Sequence, residues 1–175
     1  MENSLGVNMC TGPILYSQIP ADQRHEWSNG ELSGAIWDEG VHLAGGAAFR
    51  PADVAKLPFG FRAVLVEGCV RAHVEGDGLA CAIWNDDGVE MFALAADCHR
   101  VLGSASLVES LDRIVVRVRE WQADGERTPR SLPYEGFMAS HLGQWLADQS
   151  DAVCTLMEPA FARMMAYLRD RPELF

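Results

Sequence analysis

Cys69 and His73 stand four residues apart, about one turn of an α-helix. That spacing puts a thiol and an imidazole on one helix face, where both could ligate a metal ion. A third or fourth ligand would have to come from Cys98 or His99. The same side chains could serve a small metal-dependent or hydrolytic enzyme. Against this, the five cysteines (Cys10, Cys69, Cys81, Cys98, Cys154) are far apart, odd in number and never form a C-x-x-C pair. Buried reduced thiols in a cytoplasmic protein account for them without a metal or a disulfide framework. The five histidines are equally scattered.

Other chemical signatures are weak. Asn85-Asp86-Asp87-Gly88 suggests a calcium loop, but position 83 is Ile and no Glu falls at the required distance. Capping of the next helix by Asp86 or Asp87 is the better account. Ser104 and Ser106 have no neighbouring His or elbow glycines, so no nucleophile is indicated. No G-x-G-x-x-G follows a strand and no G-K-[ST] occurs. No catalytic residue, metal ligand or cofactor is therefore assigned.

Charge says more. Between Ala72 and His99 lie six acidic residues (Glu75, Asp77, Asp86, Asp87, Glu90 and Asp97) and no Lys or Arg. The same window holds the densest turn chemistry, VEGDG at 74–78 and NDDG at 85–88. The whole chain carries a formal charge of −11 with a pI near 4.8. Direct binding to nucleic acid or to anionic membranes is excluded on that balance, since both need cationic surface. Acidity for solubility alone is the competing account. Lys56 is the only lysine among fourteen basic residues. Arginines pair well with carboxylates, so some acids elsewhere should be neutralised internally, most plausibly by Arg113, Arg117 and Arg119, which makes the 72–99 window stand out more.

A non-enzymatic acidic binding protein is the leading expectation. Its carboxylates would stand in for phosphates and neutralise a cationic surface on a transcription regulator or nuclease. Glu75, Asp77, Asp86, Asp87 and Glu90 are the contact candidates, with Trp84 as a partly exposed apolar anchor. An immunity protein neutralising a toxin is the alternative role for the same chemistry. A homodimer is left open.

These residues need a scaffold. Apolar residues make up 49% and charged residues 22% of 175, the balance of one globular domain. Strand signals are scarce, so a mostly α, single compact multi-helix domain is expected over 30–175, preceded by an extended arm or short strand over 1–29. Pro13 and the lack of a basic start argue against a signal peptide. No apolar run reaches membrane-spanning length.

The turn Ser28-Asn29-Gly30 precedes a helix Glu31–Leu43 with Leu32, Ile36 and Leu43 on one side. Arg50–Pro51 opens a short helical turn. Pro58 sits in the first turn of a helix running to about Val74, with Phe61, Val64, Leu65, Cys69 and Ala72 at core spacing. Gly76 and Gly78 supply its positive-φ end, and a short apolar helix, Leu79–Trp84, follows. The next helix carries Phe92, Ala95, Ala96 and Cys98 or His99 inward and ends at Gly103. Ser106 and Glu109 fit a capping box. Leu107, Leu111, Ile114, Val115, Val118 and Trp121 then form one stripe over four turns. After a polar loop, Phe137–Leu146 reads as a helix. Pro159 is expected at the first position of the last one, which Pro172 stops.

The run LPFGFRAVLVEGCVRAHVEGDGLACAIWNDDG (57–88), the helix ending HRVLG and the terminal MMAYLRDRPELF together resemble the DMP19-like family, DNA-mimic proteins formerly classed as a domain of unknown function. The likeness covers roughly residues 30–175 in order and spacing. It implies an all-α fold, no known enzymatic activity and an acidic surface that occupies a DNA-binding protein. The chain departs from the pattern at the signature turn. The family's acidic residue falls on His73, and its Asn-Asn-Gly-Gly falls on Glu75, Gly76, Asp77 and Gly78. Its Gln-Tyr-Phe falls on Cys81, Ala82 and Ile83, while Asn85 is kept. The turn's shape is thus expected to persist with its surface chemistry changed.

Overall fold

A computed structural model describes residues 14–86, 88–125 and 127–175. Within them the chain forms helices and no strand: α1 (Asn29–Leu43), α2 (Pro51–Val54), α3 (Phe59–Asp77), α4 (Leu79–Asn85), α5 (Glu90–Val101), α6 (Ala105–Gly125), α7 (Tyr134–Met138) and α8 (His141–Arg169). Short 3-10 turns add Tyr16–Gln18, Pro129–Ser131 and Pro172–Leu174. The expected mostly α, single-domain architecture is observed. None of these helices is long and apolar enough to cross a membrane.

The 28–30 turn is itself the start of α1. Ser28 Oγ accepts the Glu31 N–H at 3.2 Å, and the Glu31 carboxylate accepts the Ser28 N–H at 2.9 Å. Two otherwise unpaired donors are satisfied reciprocally, which fixes the helix start. Leu32 and Ile36 are buried as expected, but Leu43 is half exposed because α1 ends there.

α3 is the centre of the fold. α1, α4, α5 and α8 all pack on it. Phe61, Val64, Leu65, Val66, Val70 and Val74 are buried, while Ala72 faces outward. Pro58 is the residue before the helix, where its missing N–H costs nothing. The helix continues past Val74 to Asp77 and stops at Gly78, whose φ of +83° a residue with a side chain rarely adopts. Gly76 stays helical.

α6 lies on α5, and its stripe from Leu107 to Val118 is buried as the spacing requires. The helix begins at Ala105, so Ser106 is already inside its first turn. The expected Ser106–Glu109 box is not formed; Glu109 pairs instead with Arg113 at 3.6 Å.

The C-terminal half differs most from expectation. The Phe137–Leu146 segment is split, because Ser140 accepts the Gly143 N–H at 3.1 Å and starts a new helix. That helix, α8, runs 29 residues with Pro159 in its interior rather than at its start. A proline there leaves the Thr155 carbonyl without its usual partner. The helix persists because Leu146, Val153, Met157, Ala160, Met164 and Leu168 are all buried along one face.

Residues 14–28 dock on the core through Tyr16 and Ile19 while most of their other side chains stay exposed, and no strand forms there. Tyr16 and Ile19 are buried, and the Tyr16 ring lies 4.1 Å from that of Phe175. Arg169 ties the segment down, donating to the carbonyls of Arg24 and Trp27 and to Asn29 Oδ1. Residues 1–13, with Cys10, lie outside the described residues.

Candidate partner-binding face

The acidic window is not one surface. The structure spreads its described residues over the end of α3, the turn after α4 and both ends of α5, and pairs Glu75 and Asp97 with cations from just outside it. Glu75 and Asp77 end α3. Glu75 accepts a hydrogen bond from Arg71 Nε at 2.8 Å, and the same guanidinium reaches Glu158 on α8. Asp97 pairs with Arg100 at 2.6 Å, and Arg100 also holds Asp112. Pairing within the window falls to Arg71 and Arg100, while outside it Arg113 of the expected cluster pairs with Glu109. Arg117 lies over the Trp145 ring instead.

Asp86 does not cap the following helix. α5 begins after Val89, and the Glu90 carboxylate accepts the Val89 N–H at 3.1 Å. Glu90 thus sits at a helix N-terminus, where negative charge is favoured. Asp86 turns towards α3, with its carboxylate 3.8 Å from His73 Nδ1. Burial, partly countered by His73 and then Arg130, holds its carboxyl above the ordinary range. Asp87 lies outside the described residues.

Trp84 is partly buried and packs against the core. Its indole N–H donates to the Leu132 carbonyl at 3.1 Å, and its ring meets Tyr134 edge-on at 5.3 Å. The Arg130 guanidinium stands over the same ring and donates to the carbonyls of Trp84 and Asn85, capping α4. The exposed aromatic is Tyr134, at 37%. Its phenol is held above its ordinary range by the Cys81 thiol beside it, with Asp77 and Glu135 adding negative charge.

What the fold does assemble is an acidic edge around the end of α3. Glu75 and Asp77 come from α3, Glu135 from α7, and Asp151 and Glu158 from one side of α8. Burial, followed by the charges of Glu75 and Asp151, raises the Cys154 thiol between them. Ser150 fixes the junction: its hydroxyl accepts the Leu79 N–H at 2.8 Å and so caps α4. Sequence reasoning missed Glu135, Asp151 and Glu158. The usable signal was Asp151–Thr155–Glu158, spaced for one helix face, but Pro159 hid the helix.

The electrostatics of this edge are unfavourable to the fold. A helix C-terminus carries a partial negative charge and favours cations. The last turn of α3 has no basic residue and ends in two acids. Arg71 is the cation at this edge that pairs with its carboxylates, holding Glu75 and Glu158.

The Cys69, His73, Cys98 and His99 set weighed from the sequence is not brought together. Cys69 and His73 do share a face of α3 and line one cavity. His99 is buried against Glu67 at 2.8 Å, and Cys98 belongs to the other core cluster. Among the described residues no group of three His, Cys, Asp or Glu could hold a metal ion. Burial, with Asp86 adding to it, pushes the Cys69 thiol up to about 11, so it stays protonated at neutral pH. Cys69, His73 and Asp86 all line this cavity.

No family model, curated protein or solved structure matches the chain.

Proposed function

We propose that this chain is a non-enzymatic binding protein whose acidic edge occupies the cationic surface of a protein partner in place of nucleic acid. The carrying observation is the pair Glu75 and Asp77 at a helix C-terminus. The dipole there opposes them, and Glu135, Asp151 and Glu158 converge on the same edge. Stability alone would favour lysines at these positions. Carboxylates spread over three helices present acceptors to an Arg- or Lys-rich surface as phosphates do. Tyr134 supplies a partly exposed ring at the border. The likeness of residues 57–88 and 164–175 to DNA-mimic proteins supports the same reading.

A DNA-binding regulator or nuclease fits as the partner. A toxin nuclease, with this chain as its immunity protein, is the second form of the same proposal. Association should be fast and weaken with salt, as charge-steered encounters do. The test is affinity capture of basic proteins at low ionic strength, with elution by salt and by duplex DNA. A captured protein released by both, and not captured by an Asp77→Asn/Asp151→Asn variant, is expected. Capture that ignores salt and survives the double substitution would refute the proposal.

A further inference from the structure

A second feature, a cavity that His73 lines, points to a small ligand. α1, the loop before α2, the middle of α3 and the start of α5 line a half-open cavity of about 560 Å³. That lies inside the range of sites for small organic molecules. Trp37, Val41, Phe49 and Met91 form apolar walls, and Asp86 and His73 form one polar end. Trp37 and Phe49 meet edge-on, their centroids 6.2 Å apart and their planes 70° apart, so the two rings form a corner. Gly68 makes the corner possible: a Cβ there would fall 2.4 Å from the Trp37 ring.

We propose that this cavity binds a small aromatic amine, with its ring in the Trp37–Phe49 corner and its ammonium directed at Asp86. Three observations select that chemistry over its rivals. Two aromatic walls favour a flat apolar body and also attract a cation through their π faces. The polar end carries a carboxylate partly withdrawn from water, and an ammonium would offset the cost of its ionisation. Arg50, at the rim, is engaged by Asp53 at 3.3 Å, and the chain's charge of −11 disfavours anions throughout. The protonated Cys69 thiol makes the site one for binding rather than covalent capture. This inference does not depend on the acidic edge.

Isothermal titration calorimetry with tryptamine, and with its neutral counterpart tryptophol, tests the proposal. One-to-one binding of tryptamine is expected, about tenfold tighter than tryptophol. Asp86→Asn should erase that preference while keeping tryptophol binding, and Phe49→Leu should weaken both ligands. Circular dichroism of each variant confirms that it is folded. No saturable tryptamine binding up to about 1 mM would overturn the proposal. Equal affinity for the two ligands, or a preference unchanged in Asp86→Asn, would overturn it as well.

Discussion

His99 Nε2 lies 2.8 Å from Glu67 Oε2, and both side chains are 2% exposed. The contact joins α5 to α3 across the core. Glu67 Oε1 and His99 Nδ1 have no hydrogen-bond partner among the described residues. A buried pair with unsatisfied atoms holds the helices in register at a cost in stability, and removing one partner strands the other. His99→Ala should therefore destabilise the protein by about 3–5 kcal/mol in urea unfolding. Replacing both residues by leucine should cost far less than the single change. A double variant as unstable as His99→Ala would show that the pair is not the source of the loss.

Asp77 tests the conflict between stability and the proposed function. Asp77→Lys complements the α3 C-terminus and should stabilise the fold by about 0.3–1 kcal/mol. The same change should weaken capture of a basic partner. Denaturation midpoints and capture yield, measured on one preparation, should move in opposite directions.

Asp86 gives a pH signature. Its carboxyl is raised in the folded state, chiefly by burial. Between the unfolded and folded values the native protein holds the proton more firmly, so the group's contribution to stability falls as pH rises. Above the folded value the penalty is complete. Asp86→Asn should remove that decline, making the variant relatively more stable at neutral pH than in mild acid. Unfolding free energies across this range for both proteins provide the comparison, and parallel curves would contradict it.

Cys69 should be slow to alkylate. A thiol pushed up to about 11 holds roughly a hundredfold less thiolate at pH 8 than an ordinary cysteine. The higher-pKa thiolate is more nucleophilic, which offsets part of this, so peptide mapping after iodoacetamide should find position 69 lagging a model cysteine peptide by about tenfold or more. Rapid labelling at neutral pH would revive a nucleophilic role.

The local half of this fold was readable. The Leu107–Val118 stripe repeats at the helical period for about three turns and is buried throughout, with Trp121 partly buried at its end. Ser28 and Gly78 act within a few residues of where they stand. The larger failures, at Pro159 and in the acidic window, come from contacts distant in sequence, whereas the missed caps at Ser106, Asp86 and Ser140 are shifts of a helix start by a few residues. Pro159 breaks a helix by local rules, yet apolar contacts on both sides of it outweigh one missing hydrogen bond. The acidic window contains no Lys or Arg, but helical turns bring Arg71 and Arg100 back over it from one residue beyond its ends. Glu158 reaches Arg71 across 87 residues, which no linear count of charge reveals. Cys69 and His73 were correctly placed on one face, while Asp86 joined them only through the turn after α4.

The Ser150 hydroxyl that caps α4 comes from 71 residues further along the chain. During synthesis α3 and α4 leave the ribosome long before α8, at about 5–20 residues per second. For several seconds the Leu79 N–H lacks its side-chain acceptor, and Glu75 and Asp77 lack their neighbours on α8. The acidic edge is therefore among the last features to be completed as the chain is made. A nascent chain presents scattered carboxylates; the ordered array exists only once the long helix has emerged and docked.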